Sequence, residues 1–279
     1  MKKPLWLNKK INFLNNRKMD MLLQKLKLNT VCKEARCPNI SECFLKGVAT
    51  FMIMGNTCTR NCKFCNIKKG APSSLDWDEP ERIKEAVKKL KLKYIVITSP
   101  TRDDLEDGGA NFYAYTISLL KRIPHLKIEV LIPDFLLKKQ PLETVVKANP
   151  DVIAHNIETV PSLYKSLRPK SDYKRSLGVL KLLKEINPRI ITKSGIMLGL
   201  GEKEKEVIEV LKDLRSVWCD FLSIGQYLPP SLSHAVLKEY VPVDKFSYFK
   251  EKALLMGFKS VLSAPYVRSS YLADQYLTS

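Results

Sequence analysis

Three observations predict an α/β fold in which a parallel sheet forms an open or closed barrel. Strand-like apolar runs alternate with amphipathic stretches through six successive units between residues 49 and 225, the signature of parallel strands joined by crossover helices. Polar clusters follow the predicted strands at Thr98–Gly109, His155–Glu158, Leu198–Glu202 and Gln226–Pro230, the end at which such barrels keep their chemistry. The chain of 279 residues is 45% hydrophobic and has no internal repeat or low-complexity linker, so one large core can hold it together.

In chain order, residues 1–18 read as an extended arm whose Trp6, Ile11, Phe13 and Leu14 can pack on a body elsewhere. Met19, Leu22, Leu23 and Leu26 recur at helical spacing beside Lys18, Lys25 and Lys27, which predicts a short helix docked on the core. Thr30 to Cys43 contains Pro38 and no sustained period, so a loop shaped by what it binds is expected there. Ala49–Gly55 reads as a buried strand. Strands are then expected at Tyr94–Ser99, Ile128–Ile132, Asp151–Ala154, Ile190–Met197 and Phe221–Gly225. Helices are expected at Glu79–Leu92, Ala110–Arg122, Pro141–Ala148, Tyr173–Ile186 and Glu202–Val217. A helix at Val243–Met256, a short run Ser260–Leu262 and a polar tail follow. The expected organisation is a barrel over 49–257, an N-terminal extension over 1–48 and a C-terminal extension over 258–279, both packed on the barrel mouth.

Six of the seven cysteines fall within 34 consecutive residues as two triplets, Cys32, Cys37, Cys43 and Cys58, Cys62, Cys65. Thiolates are soft ligands that favour zinc, copper(I) or iron–sulfur clusters. A structural zinc ion normally takes four protein ligands, and His125, His155 and His234 stand at no zinc-finger offset. A cubane held by three thiolates leaves one iron open to an outside ligand, which makes the iron–sulfur reading the stronger one. No apolar run has membrane-spanning length and the start has no secretory pattern. The first 28 residues hold eight Lys/Arg against one acid, yet no serine and one arginine, unlike a mitochondrial leader. A cytoplasmic location is expected, where clustered thiols serve metals rather than disulfides.

The formal charge of +18, from 47 basic and 29 acidic side chains, creates a salt-sensitive field that attracts acidic macromolecules. An acidic protein, a nucleic acid or a merely biased solvated surface would each account for it.

Cys-x3-Cys-x2-Cys directly after the first barrel strand resembles the radical S-adenosylmethionine (SAM) superfamily, whose fold is a partial (β/α)6 TIM-like barrel. That resemblance implies a 4Fe-4S cluster on Cys58, Cys62 and Cys65, an open iron chelated by SAM, and reductive release of a 5′-deoxyadenosyl radical. Phe64 then falls where the superfamily makes a backbone contact to adenine, a role compatible with packing under the loop. The first triplet, in Thr30-Val-Cys-Lys-Glu-Ala-Arg-Cys-Pro-Asn-Ile-Ser-Glu-Cys43, resembles the lipoyl synthase family. The likeness continues through Val96-Ile-Thr-Ser99, Arg102-Asp-Asp-Leu105, Glu129-Val-Leu-Ile-Pro-Asp-Phe135, His155-Asn-Ile-Glu-Thr-Val-Pro161 and Arg268-Ser-Ser-Tyr271, so it spans about residues 30 to 273.

This second resemblance implies radical insertion of two sulfur atoms at C6 and C8 of a protein-bound octanoyl chain. A second 4Fe-4S cluster, on Cys32, Cys37, Cys43 and the hydroxyl of Ser270, would be the sulfur donor; Ser269 is the neighbouring alternative. Asn156 and Glu158 are implied to meet the ribose of SAM, and Arg175 its carboxylate. Arg102, Asp103 and Asp104 are expected at the same mouth. The common Gly-Gly-Glu segment after the second strand is absent in that form, which leaves the SAM amine without an assigned partner. The implied partners are an octanoylated carrier (the H protein or the lipoyl domain of a dehydrogenase E2 chain), an electron donor such as ferredoxin or flavodoxin, and an iron–sulfur carrier. Neither nucleic acid nor membrane is expected. Two rivals share some features: a radical sulfur-inserting or methylthiolating enzyme acting on tRNA, and a zinc-stabilised nucleic-acid-binding module. Gly199-Leu-Gly201 lacks the third glycine of a dinucleotide fingerprint and reads as a tight turn. Cys219 reads as a buried small hydrophobe and His155 as locally hydrogen-bonded.

Overall fold

Apolar runs without alternation become strands covered on both faces, as crossover helices require. The computed structural model describes residues 3–8, 20–35, 37–45 and 48–277. Within them a helix α1 (20–25) leads to β1 (Asn29–Thr30), the short helices α2 (Val31–Glu34) and α3 (Ile40–Leu45), and β2 (Ala49–Met52). A two-stranded ribbon follows, β3 (Thr57–Cys58) and β4 (Lys68–Lys69). The alternating body comprises α4 (Glu79–Lys89), β5 (Tyr94–Thr98), α5 (Ala110–Leu120), β6 (Lys127–Leu131), α6 (Lys139–Lys147), β7 (Val152–Ala154), α7 (Pro161–Leu167), α8 (Tyr173–Ile186), β8 (Ile191–Leu198), α9 (Glu204–Ser216), β9 (Phe221–Gln226), α10 (Val243–Leu255) and β10 (Ser260–Ser263).

These strands form one eight-stranded sheet in the order β1-β2-β5-β6-β7-β8-β9-β10. β1 pairs antiparallel with β2, and every later neighbour pairs in parallel. β1 and β10 are not neighbours, so the barrel is open, as the partial barrel expected from the sequence should be. Outward-facing residues such as Ile95, Ile97, Ile128, Val130 and Ile153 join Ile83, Phe112, Leu142 and Val179 of the covering helices in one cluster. Ile196, Leu222 and Ile224 do the same with Val210, Leu214 and Phe249 on the other flank. Helix ends follow ordinary electrostatics: α4 opens on Glu79, Pro80 and Glu81 and closes on Lys88 and Lys89, while Asp172 caps α8 by accepting from Arg175 N at 2.7 Å.

The inward face is mixed. Glu129 on β6 and Lys193 on β8 are both fully buried and paired at 3.0 Å, with the Tyr94 hydroxyl donating to the same carboxylate at 2.7 Å. Beneath the mouth, a single-turn helix at Ala273–Leu277 packs against inward side chains of β5, β7 and β9.

Three features differ from the expectation. The first cysteine triplet lies on α2 and α3 and the turn between them, not on a plain loop; Thr30 starts α2 by accepting from Lys33 N at 3.4 Å. α7 was not anticipated, because seven residues opened by Pro161 are too few to show a period. The run at Ser260 is a seventh parallel strand, paired with β9 from Ser260↔Phe221 to Ser263↔Ile224. The expected packing of Ile11, Phe13, Leu14 and Met19 lies outside the described residues; Trp6 meets Tyr240 edge-on with centroids 6.5 Å apart.

Candidate active site

The ends of the parallel strands that carry the polar clusters open into a cavity of ≈ 520 Å³. Its wall includes Cys32 and Cys37 from the first triplet, Cys58, Cys62 and Cys65 from the second, and Ser269 and Ser270 from the tail. Segments more than 200 residues apart in sequence thus meet in one space. Cys43 stands outside this lining, 7% exposed on α3. The seven cysteines form no disulfide, and among the described residues no group of three or more His, Cys, Asp or Glu is arranged for a single metal ion. The thiols instead surround a space of ligand size, a donor set that fits polynuclear iron–sulfur groups. Burial pushes Cys32 and Cys65 up to about 12, with neighbouring thiols adding to it, and raises Cys62 as well. Such thiols stay protonated until a metal displaces the proton.

The loop after β3 is held by its own arginine. Arg60, between Cys58 and Cys62, donates to Asp103 from Nε and Nη2 (2.7 and 2.8 Å) and to Asp134 from Nη1 and Nη2 (2.8 and 2.6 Å). Burial alone would lower the Arg60 pKa, but these two carboxylates outweigh it and keep the guanidinium charged. Burial would raise Asp134, yet Arg60 holds it well below the usual carboxylate range. Backbone N–H groups of Arg60 and Thr101 point at Cys58 Sγ at 3.4 and 3.3 Å, the kind of donor that tunes a thiolate ligand. Lys63 N donates to Leu167 O at 2.8 Å and pins the loop to the end of α7.

The tail reaches the first triplet through polar contacts. Asn39 Nδ2 donates to Tyr266 O at 2.6 Å, and the Tyr271 hydroxyl donates to Glu42 at 2.8 Å, beside Cys43 on α3. Burial raises the Tyr271 phenol, and Glu42, Cys43 and Cys37 add to that. Arg268 shares the cavity wall with Cys37; burial lowers its guanidinium, with the Cys37 thiol opposing. Gly225 on β9 is what lets the tail cross: a Cβ there would lie 2.0 Å from Val267 O. Ser269 Oγ donates to Asn156 Oδ1 at 3.0 Å, whereas Ser270 Oγ has no partner among the described residues.

On the opposite wall, Asn156 Nδ2 donates to Glu158 at 3.1 Å, so Ser269, Asn156 and Glu158 form one chain of hydrogen bonds. Glu158 has a left-handed φ of 69° and bridges to Ile196, accepting from Met197 N at 2.9 Å and donating to Gly195 O at 2.8 Å. Burial pushes its carboxyl up, opposed by Arg168. Phe64 lines the cavity and packs on Leu167, Leu200 and Tyr227. Arg175 is not in the lining: its Nε donates to Asp134 at 2.8 Å and its Nη2 to Lys170 O at 3.0 Å. The buried guanidinium of Arg168 occupies the wall instead, donating to Asn156 O, Ile157 O and the Tyr164 hydroxyl, with its Nε unpartnered among the described residues. Arg102 and Asp104 pair with each other away from the cavity, and Asp103 serves Arg60. His155 Nδ1 bonds Ile132 O at 2.9 Å, and burial lowers its pKa to about 4, so the ring is neutral. Gly199 is the expected tight turn, with φ 97° and Glu202 accepting from its N–H. Cys219 is fully buried as expected. Sequence reasoning missed Arg60, Asp134 and Arg168; the only cue was an arginine lying inside a cysteine triplet.

The model of the radical SAM superfamily matches residues 52–214. The chain is similar to the lipoyl synthase of Caldanaerobacter subterraneus subsp. tengcongensis, 54% identical over 274 residues that cover 98% of this chain and 96% of the relative. It is 55% identical over 278 residues to the lipoyl synthase of Caldicellulosiruptor saccharolyticus, with 98% and 97% covered. Among solved structures, methylornithine synthase superposes with a TM-score of 0.60 at 14% identity, over 92% of this chain and 87% of that one, a likeness of fold.

Proposed function

The chain belongs to the lipoyl synthase family of the radical SAM superfamily, and from that premise we propose how its own residues divide the work. The enzyme is a sulfurtransferase that inserts two sulfur atoms, at C6 and C8, into an octanoyl chain held on a carrier protein, using two 4Fe-4S clusters and SAM. The bound groups supply the electron that cleaves SAM and the sulfide that is inserted.

Cys58, Cys62 and Cys65 are assigned to the SAM-cleaving cluster, and Cys32, Cys37, Cys43 and Ser270 to the auxiliary, sulfur-donating one. The observation that supports this reading is the meeting of Cys32 and Cys37, the whole second triplet and the tail serines around one cavity. Choosing Ser270 over Ser269 is supported by the hydrogen bond that already engages Ser269. An alkoxide is a harder, more displaceable partner for iron than a thiolate, which suits a ligand that must leave when sulfide is transferred. Asn156 and Glu158 are assigned to the ribose hydroxyls and Phe64 to the adenine edge. Arg168, rather than Arg175, is assigned to the SAM carboxylate, because its planar fork lies in the wall beside Glu158 and Cys62. Arg60 and Asp134 hold the cluster loop in shape, and Arg175 braces Asp134.

The rim near the second triplet carries Lys63, Lys68, Lys69, Lys170 and Lys238, all exposed. This supports an acidic carrier, the H protein or a dehydrogenase lipoyl domain, presenting its acylated lysine at the mouth. The chemistry calls for a one-electron donor and a source of iron and sulfide, roles we assign to a ferredoxin or flavodoxin and to an iron–sulfur carrier. No helix among the described residues is long and apolar enough to cross a membrane; we assign the enzyme to the cytoplasm, whose reducing poise keeps such thiols available.

The test is anaerobic: reconstituted protein, reductant, SAM and an octanoylated carrier domain, followed by carrier mass and 5′-deoxyadenosine. The expected result is a mass gain of two sulfurs, as the dithiol formed under reducing conditions, lost in Cys32→Ala while SAM cleavage persists. SAM cleavage with an unchanged carrier would remove the assignment of substrate.

A further inference from the structure

Below the cavity, the lumen of the barrel is filled by the chain's own C-terminal segment. Ala273 packs against Tyr94 and Val96 of β5, Tyr276 against Val152 of β7 and Phe221 of β9, and Leu277 touches both groups. Barrels ordinarily fill this layer with strand side chains alone. Tyr276 is 1% exposed; its ring stacks on Phe221 with centroids 5.3 Å apart, and its hydroxyl donates to Leu222 O at 3.1 Å. The Lys193 ammonium lies 4.0 Å from the ring centroid, held by both oxygens of Glu129 at 3.0 and 3.1 Å. One aromatic ring is therefore seated in a socket built from several strands, with a buried charge aimed at its face. Misplacing that ring would leave the cation without it, so the socket selects one position.

The other side of the tail is tied as well. Tyr266 O accepts from Asn39, and the Val267 carbonyl lies over Gly225 where no side chain fits. Ser270 sits between these ties and the socket, three residues before Ala273.

We propose that Ala273–Leu277 is an internal anchor and Tyr276 its positioning residue, holding Ser270 beside Cys32 and Cys37 whether or not its oxygen is bonded to iron. This rests on the assignment of Ser270 as a ligand of the auxiliary cluster. A displaceable ligand must be able to return when the cluster is rebuilt. A hydroxyl tethered on both sides rebinds as an intramolecular group at high effective concentration, while one on a free tail competes poorly with water.

The experiment uses the full chain with Cys58, Cys62 and Cys65 changed to alanine, so that only the auxiliary cluster assembles. In that background it compares the parent, Tyr276→Phe, Tyr276→Ala, Ser270→Ala, and a chain with two glycines inserted between Leu272 and Ala273. Iron loss to a chelator and the Mössbauer signal of a unique iron are read, with carboxypeptidase digestion of each apoprotein. Tyr276→Ala and the insertion should lose iron roughly five- to tenfold faster than the parent and lose the unique-iron signal, as Ser270→Ala does. Tyr276→Phe should match the parent, and carboxypeptidase should trim Tyr276→Ala past residue 272 but spare the parent. If Tyr276→Ala and the insertion keep iron like the parent while Ser270→Ala does not, the anchor is wrong and the ligand assignment stands. If Ser270→Ala itself behaves like the parent, the ligand assignment fails and takes the anchor with it. Should Tyr276→Ala not fold, the insertion decides, since it lengthens the tether and leaves the ring seated.

Discussion

Glu79 shows how one buried carboxyl connects stability to the site. It is 4% exposed, and its Oε2 accepts from Met54 N at 2.7 Å, at the turn where β2 gives way to the cysteine loop. Arg102 Nη1 donates to the same residue's carbonyl at 3.2 Å, so the Met54 peptides are fixed from two sides. Burial raises Glu79 from 4.5 to about 7, against the opposing bond from Met54. A carboxyl raised on folding stabilises fully below its unfolded pKa, and that stability is lost as pH rises toward the folded one. Glu79→Gln removes this dependence. The variant should match the wild type near pH 4.5 and exceed it by about 3 kcal/mol above pH 7, measured by chemical denaturation of the apoprotein. A difference that does not change across that range would contradict the assignment of Glu79 as a buried titrating group. Arg60 has comparable reach, but its place inside a cysteine triplet is the one cue the sequence offers: the arginine gains meaning only when Asp103 and Asp134, 43 and 74 residues away, fold around it.

At the scale of elements, Gly225 decides whether the tail can cross the end of β9. A methyl group there meets the Val267 carbonyl at 2.0 Å, and backbone cannot yield as a side-chain tip does. Gly225→Ala should therefore cost about 1–3 kcal/mol and displace Val267–Ser270, abolishing carrier thiolation while SAM cleavage continues. Full product formation in this variant would show that the tail tolerates the shift. The strands and most helices were legible in the sequence because each is a run of uniform burial or one amphipathic period, and α8 was placed to the residue at Tyr173–Ile186. The first triplet was harder to read, since α2 and α3 are four and six residues long, too short to show a period, and α2 starts on a local cap from Thr30. β10 resembles any short apolar run until β9 supplies its partner. Spacing and likeness point to Cys32, Cys37, Cys58, Cys62, Cys65, Asn156 and Glu158, which line the cavity, and to Cys43, which does not. The choice between Arg168 and Arg175 was not legible, because only the folded chain shows which guanidinium faces inward.

For the whole molecule, a charge of +18 and a lysine-lined rim predict how the carrier arrives. Raising ionic strength from 0.05 to 0.5 M should raise the carrier's KM roughly tenfold and leave the KM of SAM, which we assign to the cavity, nearly unchanged. Equal sensitivity of the two would remove electrostatic steering from the account. The placement of the tail also sets an order of events during folding. The loop around Cys58, Cys62 and Cys65 is held through Arg60 by Asp103 and Asp134, 43 and 74 residues on, whereas the contacts that complete the first triplet's surroundings span 227 residues from Asn39 to Tyr266 and 229 from Glu42 to Tyr271. Closing a longer loop costs more chain entropy, so the loop of the second triplet can take shape before the tail is seated, and Ser270 arrives last. The two cysteine triplets are thus separated in folding order as well as in sequence.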